Sequence, residues 1–160
     1  MPLRAGIGYD IHAKAMGRPL ILGGVRFGGD WGLEGHSDAD VLAHAIGDAL
    51  LGAVALGDLG AHFPPGEARW KDISSMELLR LIRAMIEGHG GRIVNVDATV
   101  VAVAPRLSPA RDAMCTNIAQ ALKIGGGQVS VKATTNESLG ALGRGEGIAA
   151  WAVAMVEVSE

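Results

Sequence analysis

Gly35-His36-Ser37-Asp38-Ala39-Asp40-Val41-Leu42-Ala43-His44-Ala45-Ile46-Gly47-Asp48 passes from a polar turn dense in capping residues into an apolar segment of helical period. Ser37 or Asp38 can cap the new helix, and Asp38 and Asp40 put negative charge where the helix dipole is positive. The helix is expected from about Asp38 to Leu56, with Gly57-Asp58-Leu59-Gly60 ending it. Val41, Leu42, Ala45, Ile46, Ala49 and Leu50 form the face that holds it against a core. Asp40, His44 and Asp48 recur every fourth residue and project from neighbouring turns of one side. That row reads two ways: a carboxylate–imidazole set that meets a metal or a phosphate, or a solvated face with a satisfied histidine.

Outward toward the N-terminus, Gly8-Tyr9-Asp10-Ile11-His12 reads as a short strand, at the end of a first strand expected over Leu3 to Ile11. Strand alternation puts Asp10 and His12 on one face and Tyr9 and Ile11 on the other. With His44 they make a His/His/carboxylate set, three ligands and a free fourth position, as in catalytic zinc sites. Pro19 to Phe27 reads as a strand bent at the paired glycines Gly23-Gly24.

Outward toward the C-terminus, Asp58 is expected at a helix C-terminus, against its electrostatic preference. His62 to Lys71 has neither period and two prolines, and is the best candidate for a mobile lid. Ser74-Ser75-Met76-Glu77 has the form of a capping box and opens a helix that stops at Gly88, Gly90 and Gly91. Arg92 to Ala104 is expected to be a strand buried on both faces for much of its length. Ser108-Pro109 starts a helix carrying Ala113, Met114, Ile118, Ala121 and Leu122 inward. Gln128 to Ala133 and Gly147 to Val158 are further strands, the last apolar on both faces. Between them, the threonines and glycines of Thr134 to Gly147 can cradle phosphate oxygens, Arg144 can clamp them, and Glu137 is an oxygen donor for Mg²⁺ or Mn²⁺. The expected fold is a single α+β domain over residues 1–160, a mixed sheet of about four to five strands with helices on one face.

Composition narrows the function classes. Of 160 residues, 49% are hydrophobic and only 4% aromatic, with 24 glycines, so the core is aliphatic and alanine-rich with close backbone approaches. A formal charge of −3 without a basic run argues against a nucleic-acid partner. The single cysteine, Cys115, excludes intrachain disulfides and cysteine-based zinc motifs and reads as packing. No membrane-spanning run or signal peptide is evident, which makes the cytoplasm the expected compartment, and a processed organelle protein would read the same way.

Gly8-Tyr9-Asp10-Ile11-His12, His36-Ser37-Asp38-Ala39-Asp40, Leu42-Ala43-His44-Ala45, Leu56-Gly57-Asp58-Leu59-Gly60, Phe63-Pro64, Ala104-Pro105, Val131-Lys132-Ala133-Thr134-Thr135 and Gly143-Arg144-Gly145-Glu146-Gly147 occur in order. Together they closely resemble the 2-C-methyl-D-erythritol 2,4-cyclodiphosphate synthases over nearly the whole chain. The resemblance implies a homotrimer with active sites between subunits. These would convert a substrate carrying a cytidine diphosphate group to a cyclic diphosphate and CMP, in non-mevalonate isoprenoid biosynthesis. It assigns Asp10, His12 and His44 to Zn²⁺ and Glu137 to a second divalent ion, Mg²⁺ or Mn²⁺, bridging the diphosphate. It assigns His36, Ser37, Asp48, Asp58, Gly60, Thr134, Thr135 and Arg144 to substrate, and Ala102, Pro105, Arg106, Leu107 and Ser108 to the nucleotide. Asp10, His12, His44, His36 and Thr135 form the implied catalytic set. The chain departs from many relatives at Pro65-Gly66, where acids follow Phe-Pro, and at Ala141 and Trp151, which flank the family's axial cavity for isoprenoid diphosphates. Tyr9 and Trp151 are read here as trimer packing. Two other readings use the same residues: a zinc phosphohydrolase with water in the fourth position, and a trimeric isoprenoid-diphosphate binder without catalysis.

Overall fold

In the computed structural model, which describes residues 2–159, the chain opens with a long strand, β1 (Leu3–Met16). Three short strands follow, β2 (Leu20–Leu22), β3 (Val25–Phe27) and β4 (Trp31–Leu33). The organising helix is α1 (Val41–Ala53), followed by the single turn α2 (Leu59–His62), α3 (Ser75–Gly88) and β5 (Gly91–Val101). Helix α4 (Arg111–Leu122), β6 (Val129–Thr134), the turn α5 (Gly140–Gly143) and β7 (Gly147–Val158) complete the order. The main sheet runs β4-β1-β7-β5-β6, antiparallel except for the β5–β6 pair, which α4 connects. The mixed α+β layer pair expected from sequence is therefore observed, with the helices on one face.

Why α1 lies so close to the sheet is written in small residues. Gly6 and Gly8 on β1 face the helix, and a Cβ on either would stand 1.9 Å from a backbone oxygen of α1, that of Ala49 or Ala45. Opposite them on β7 are Ala154 and Ala152. The contact is backbone on backbone, which only glycine permits. Leu42, Ile46, Leu50 and Leu51 of α1 then join Leu79, Ile82 and Ile86 of α3 and Met114 and Ile118 of α4 in one fully buried aliphatic core.

Several local expectations need correction. The β2–β3 segment is a hairpin forming its own two-stranded sheet, not one bent strand. Gly23 (φ +55) and Gly24 (φ +71) both adopt the left-handed region that a tight hairpin turn requires. The N-cap of α1 is Asp40, whose side chain accepts from the Ala43 N–H, so Asp40 points into the core and not along the His44 row. Asp58 caps the start of α2, a favourable position, since its Oδ1 accepts from Ala61 N–H at 3.0 Å. Ser74 makes no side-chain capping bond. Ala113 is exposed. Strand β5 buries one face, through Ile93, Val96, Ala98 and Val100, while Arg92 is exposed and Asp97 and Thr99 half-buried on the other.

The outer face of the sheet is apolar and open in the single chain. Ile7, Tyr9, Ile11, Trp151 and Val153 are exposed there, and the rings of Tyr9 and Trp151 meet at 4.6 Å across the β1–β7 pair. Among the described residues, no helix is long and apolar enough to cross a membrane.

Candidate active site

Alternation along β1 carries the face of Gly6 and Gly8 on to Asp10 and His12, just beyond the N-terminal end of α1, where His44 projects. Three atoms converge there. Asp10 Oδ2 lies 2.8 Å from His12 Nε2 and 3.0 Å from His44 Nδ1, and the two imidazole nitrogens are 3.1 Å apart. Bonds of about 2.0–2.1 Å around a tetrahedral ion place donors about 3.3 Å apart, so this triangle fits a divalent cation, slightly contracted. The cluster is the one His/Cys/Asp/Glu group among the described residues able to hold a metal ion. Burial alone would raise the Asp10 pKa, but the hydrogen bonds and charges of His12 and His44 outweigh it and hold the carboxyl well below the usual range. Burial lowers that of His44, but the hydrogen bond and charge of Asp10, with the charges of Asp40 and Asp38, outweigh it and raise the imidazole pKa.

The triad opens on a cavity of about 360 Å³. His36, Ser37, Asp48, Asp58 and Gly60 line it, together with Leu59, Phe63, Pro65, Trp70, Ile73 and Leu78. Asp48 projects from α1 one turn after His44, and its Oδ1 accepts from Leu59 N–H at 2.8 Å, joining α1 to α2. Burial pushes the Asp48 pKa up. His36 Nε2 donates to the Glu67 carbonyl at 3.0 Å, tying the polar turn to the proline-rich loop. That loop is anchored by Phe63, whose ring meets Trp70 edge-on at 5.0 Å. Arg18 donates to the carbonyls of Gly35 (2.9 Å) and Ser37 (3.0 Å), holding the turn in place.

A second cavity, of about 320 Å³, gathers Ala102, Pro105, Arg106, Leu107, Ser108, Thr134 and Thr135, with Val103, Arg111 and Ala133. It shares no lining residue with the first. Arg144 lies in neither; it pairs with Glu146 and lines a smaller recess with Lys14 and Trp31. Glu137 also lines neither cavity. It is exposed, at φ +51, and its N–H donates to Thr135 Oγ1 at 3.2 Å. Within one chain, then, most of the expected site residues fall into two separate groups, with Arg144 and Glu137 outside both.

Sequence reasoning missed the apolar wall of the first cavity, the Arg18 clasp and the surroundings of His44 Nε2. Aromatic residues were the available signal for the wall. In a chain so poor in them, Phe63 and Trp70 sit within ten residues of each other in a segment without period. Cys115 is partly exposed, and burial raises its pKa, which fits packing and not nucleophilicity.

Fold and site together define a class: an α+β domain with a three-donor cluster able to hold a divalent ion at the mouth of a carboxylate-lined cavity. The chain belongs to the YgbB family, whose sequence profile matches residues 3–157. It is 56% identical over 154 residues to the 2-C-methyl-D-erythritol 2,4-cyclodiphosphate synthase of Moorella thermoacetica, covering 96% of this chain and 94% of that one. It is also 56% identical over 155 residues to the bifunctional enzyme IspD/IspF of an Anaeromyxobacter species, of which it spans 40%. Among solved structures, the bifunctional IspDF of Campylobacter jejuni superposes with a TM-score of 0.95 at 39% identity, over 99% of this chain and 43% of that one. A CDP complex of Plasmodium falciparum IspF superposes at 0.85 and 34% identity, over 99% of this chain and 97% of that one.

Proposed function

We propose that the chain closes 4-diphosphocytidyl-2-C-methyl-D-erythritol 2-phosphate into 2-C-methyl-D-erythritol 2,4-cyclodiphosphate and releases CMP, a phosphorus–oxygen lyase step of non-mevalonate isoprenoid biosynthesis. The observation that carries this is one cavity joining an open Asp10/His12/His44 cluster to the carboxylates of Asp48 and Asp58. An oxygen of the substrate's 2-phosphate bonds to the β-phosphorus, the anhydride bond to the α-phosphate breaks, and CMP leaves with its electron pair. A phosphate monoester is already mostly ionised at neutral pH, its second pKa being about 6, so no strong base is needed. The remaining barrier is alignment of two anionic groups, and holding them in reacting geometry can contribute roughly 7–11 kcal/mol.

In this reading Asp48 and Asp58 grip hydroxyl groups, His36 and Ser37 lie beside the phosphates, and Gly60 lets the backbone approach. Phe63, Ile73 and Leu78 present the apolar wall to the carbon skeleton. Asp10, His12 and His44 would hold Zn²⁺, and a bound ion supplies Lewis-acid polarisation of a phosphoryl oxygen. Glu137 would hold Mg²⁺ or Mn²⁺ at the diphosphate, where Thr134, Thr135 and Arg144 also reach. The cytidine group occupies the cavity of Ala102, Pro105, Arg106, Leu107 and Ser108. Because the two cavities share no wall, the reading pairs the first cavity of one subunit with the second of its neighbour in a homotrimer, assembled through the apolar outer sheet face. The cytoplasm is the compartment this reading supports.

Phosphorus NMR of the reaction mixture tests it. Equal amounts of cyclic diphosphate and CMP are expected, and neither from a folded His44→Ala variant. Linear phosphate products would overturn it in favour of hydrolysis.

A further inference from the structure

The ring of His44 is gripped on the side away from Asp10. Its Nε2 lies 2.9 Å from Ser75 Oγ and 3.1 Å from Ser37 Oγ. Ser75 is fully buried at the first position of α3, and its hydroxyl donates to Asp38 Oδ1. The same carboxylate accepts from Ser75 N–H through Oδ2 at 2.9 Å and from Asp40 N–H through Oδ1 at 3.1 Å. A hydroxyl has one proton, and that of Ser75 is committed to Asp38. Toward His44 the Ser75 oxygen can therefore only accept, which places the proton of the neutral ring on Nε2 in preference to Nδ1. Nδ1 is left as a bare lone pair aimed at Asp10 Oδ2 and His12 Nε2.

We propose that Asp38 and Ser75 are positioning residues that fix the tautomer and tilt of His44, presenting Nδ1 to a metal ion through the relay Asp38 carboxylate, Ser75 hydroxyl, His44 Nε2–H. The inference rests on the reading of Asp10, His12 and His44 as a metal centre. It assigns a role to two side chains that lie behind the cavity, neither among its lining residues. It also explains why Asp38 does not cap α1: its carboxylate is engaged across the molecule at the start of α3, coupling the two helices to the orientation of one ring. Such partners behind a metal-binding histidine commonly change affinity by about 10–100-fold when removed.

Ser75→Ala deletes the hydroxyl while keeping the N–H bond to Asp38, so α3 retains its cap. The full chain is first freed of metal and checked for folding by thermal melt. Nitrogen-15 NMR at a pH where His44 is neutral reads the tautomer, and chelator competition reads the dissociation constant for Zn²⁺. The parent is expected to show His44 as the Nε2–H form alone. Ser75→Ala is expected to show a mixture, because Ser37 Oγ can either donate or accept, and to bind Zn²⁺ about 10–100-fold more weakly. Ser75→Thr keeps the hydroxyl and should restore the parent tautomer and bring affinity to within about threefold. Asp38→Asn tests the far end of the relay and decides the matter if Ser75→Ala fails to fold; it too should weaken Zn²⁺ binding at least about tenfold. A folded Ser75→Ala or Asp38→Asn protein with parent affinity and a single Nε2–H form would overturn the relay. Failure of the parent itself to bind Zn²⁺ would instead overturn the metal-centre reading.

Discussion

Substituting Gly8 by alanine should damage fold and site together. A Cβ there would stand 1.9 Å from Ala45 O and 2.8 Å from Ala49 N, whereas real Cβ atoms essentially never approach closer than 3.0 Å. The helix must therefore retreat by at least 3.0 − 1.9 = 1.1 Å, and no side-chain rotation can absorb the shift because the obstacle is backbone. A radial gap of about 0.5–1 Å forfeits a quarter to a half of the dispersion energy across an interface. Ordinary overpacking costs about 1–3 kcal/mol, and with backbone on both sides the cost should lie at or above that range, at about 3–5 kcal/mol. For a domain of this size each kcal/mol lowers Tm by about 2–4 °C, so a fall of roughly 6–20 °C is expected. The retreat also moves His44 away from Asp10, and Zn²⁺ affinity by chelator competition should drop at least about tenfold. Gly52→Ala, on the exposed side of the same helix, provides the opposite sign. Its new Cβ would meet nothing nearer than Ile7 O at 4.0 Å, so it should stabilise by about 0.5–1 kcal/mol. A Gly8→Ala protein that melts with the parent and binds Zn²⁺ as tightly would refute the claim that glycine sets the helix–sheet spacing.

Asp40 is fully buried, accepts from the N–H groups of Gly23, Gly24 and Ala43, and has its pKa pushed up to about 6 by burial first and Asp38 second. A raised carboxyl pKa makes its contribution largest below the unfolded value of 3.8 and diminishes it as pH rises through about 6. Urea titrations of the parent and Asp40→Asn should therefore show the parent losing on the order of 3 kcal/mol relative to the variant between pH 4 and 7, and a constant difference would count against it. Ile7→Asp puts a charge on the exposed apolar sheet face and should convert the proposed trimer to monomer in sedimentation velocity; an unchanged sedimentation coefficient would place the interface elsewhere. Asp48→Asn keeps an oxygen for Leu59 N–H but removes the charge that the proposed function offers to a substrate hydroxyl, a loss of about 1.5–3 kcal/mol. That predicts a fall in kcat/KM of about 10–100-fold, with folding unchanged by circular dichroism.

The parts of the fold that could be read from sequence are those where one period dominates. β7 matches its expected range, and α1, α3 and α4 lie within a few residues of theirs, because their apolar patterns decide burial without reference to other elements. The errors cluster where several capping residues compete. Ser37, Asp38 and Asp40 can each cap α1 locally, and the choice falls to Asp40 because only there does one carboxylate also satisfy the two glycine N–H groups of the β2–β3 hairpin. Likewise Ser74 has the local form of an N-cap, but Asp38 reaches across to cap α3 from outside. These are tertiary decisions, invisible to spacing. Gly57 similarly ends one segment while Asp58 starts the next, so a single turn of helix turns an unfavourable aspartate into a favourable one.

The three donors of the site were legible because each is fixed by a period, two by the strand and one by the helix. Their mutual distances were not, since these depend on how closely two elements approach, and that is set by glycines remote from the chemistry. Proximity alone would also leave the cluster ambiguous, because an aspartate between two histidines is equally an ordinary hydrogen-bond network if both rings present N–H groups. What separates the two cases is the far side of His44. With Nε2–H engaged by Ser75, Nδ1 and Asp10 Oδ2 face one another at 3.0 Å as two acceptors, an arrangement that repels unless a positive charge lies between them. A divalent cation supplies that charge and engages His12 as well. The acidic turn before α1 thus does two jobs with neighbouring residues: Asp40 secures the helix, and Asp38, acting through Ser75, orients the histidine on that helix toward Asp10 and His12.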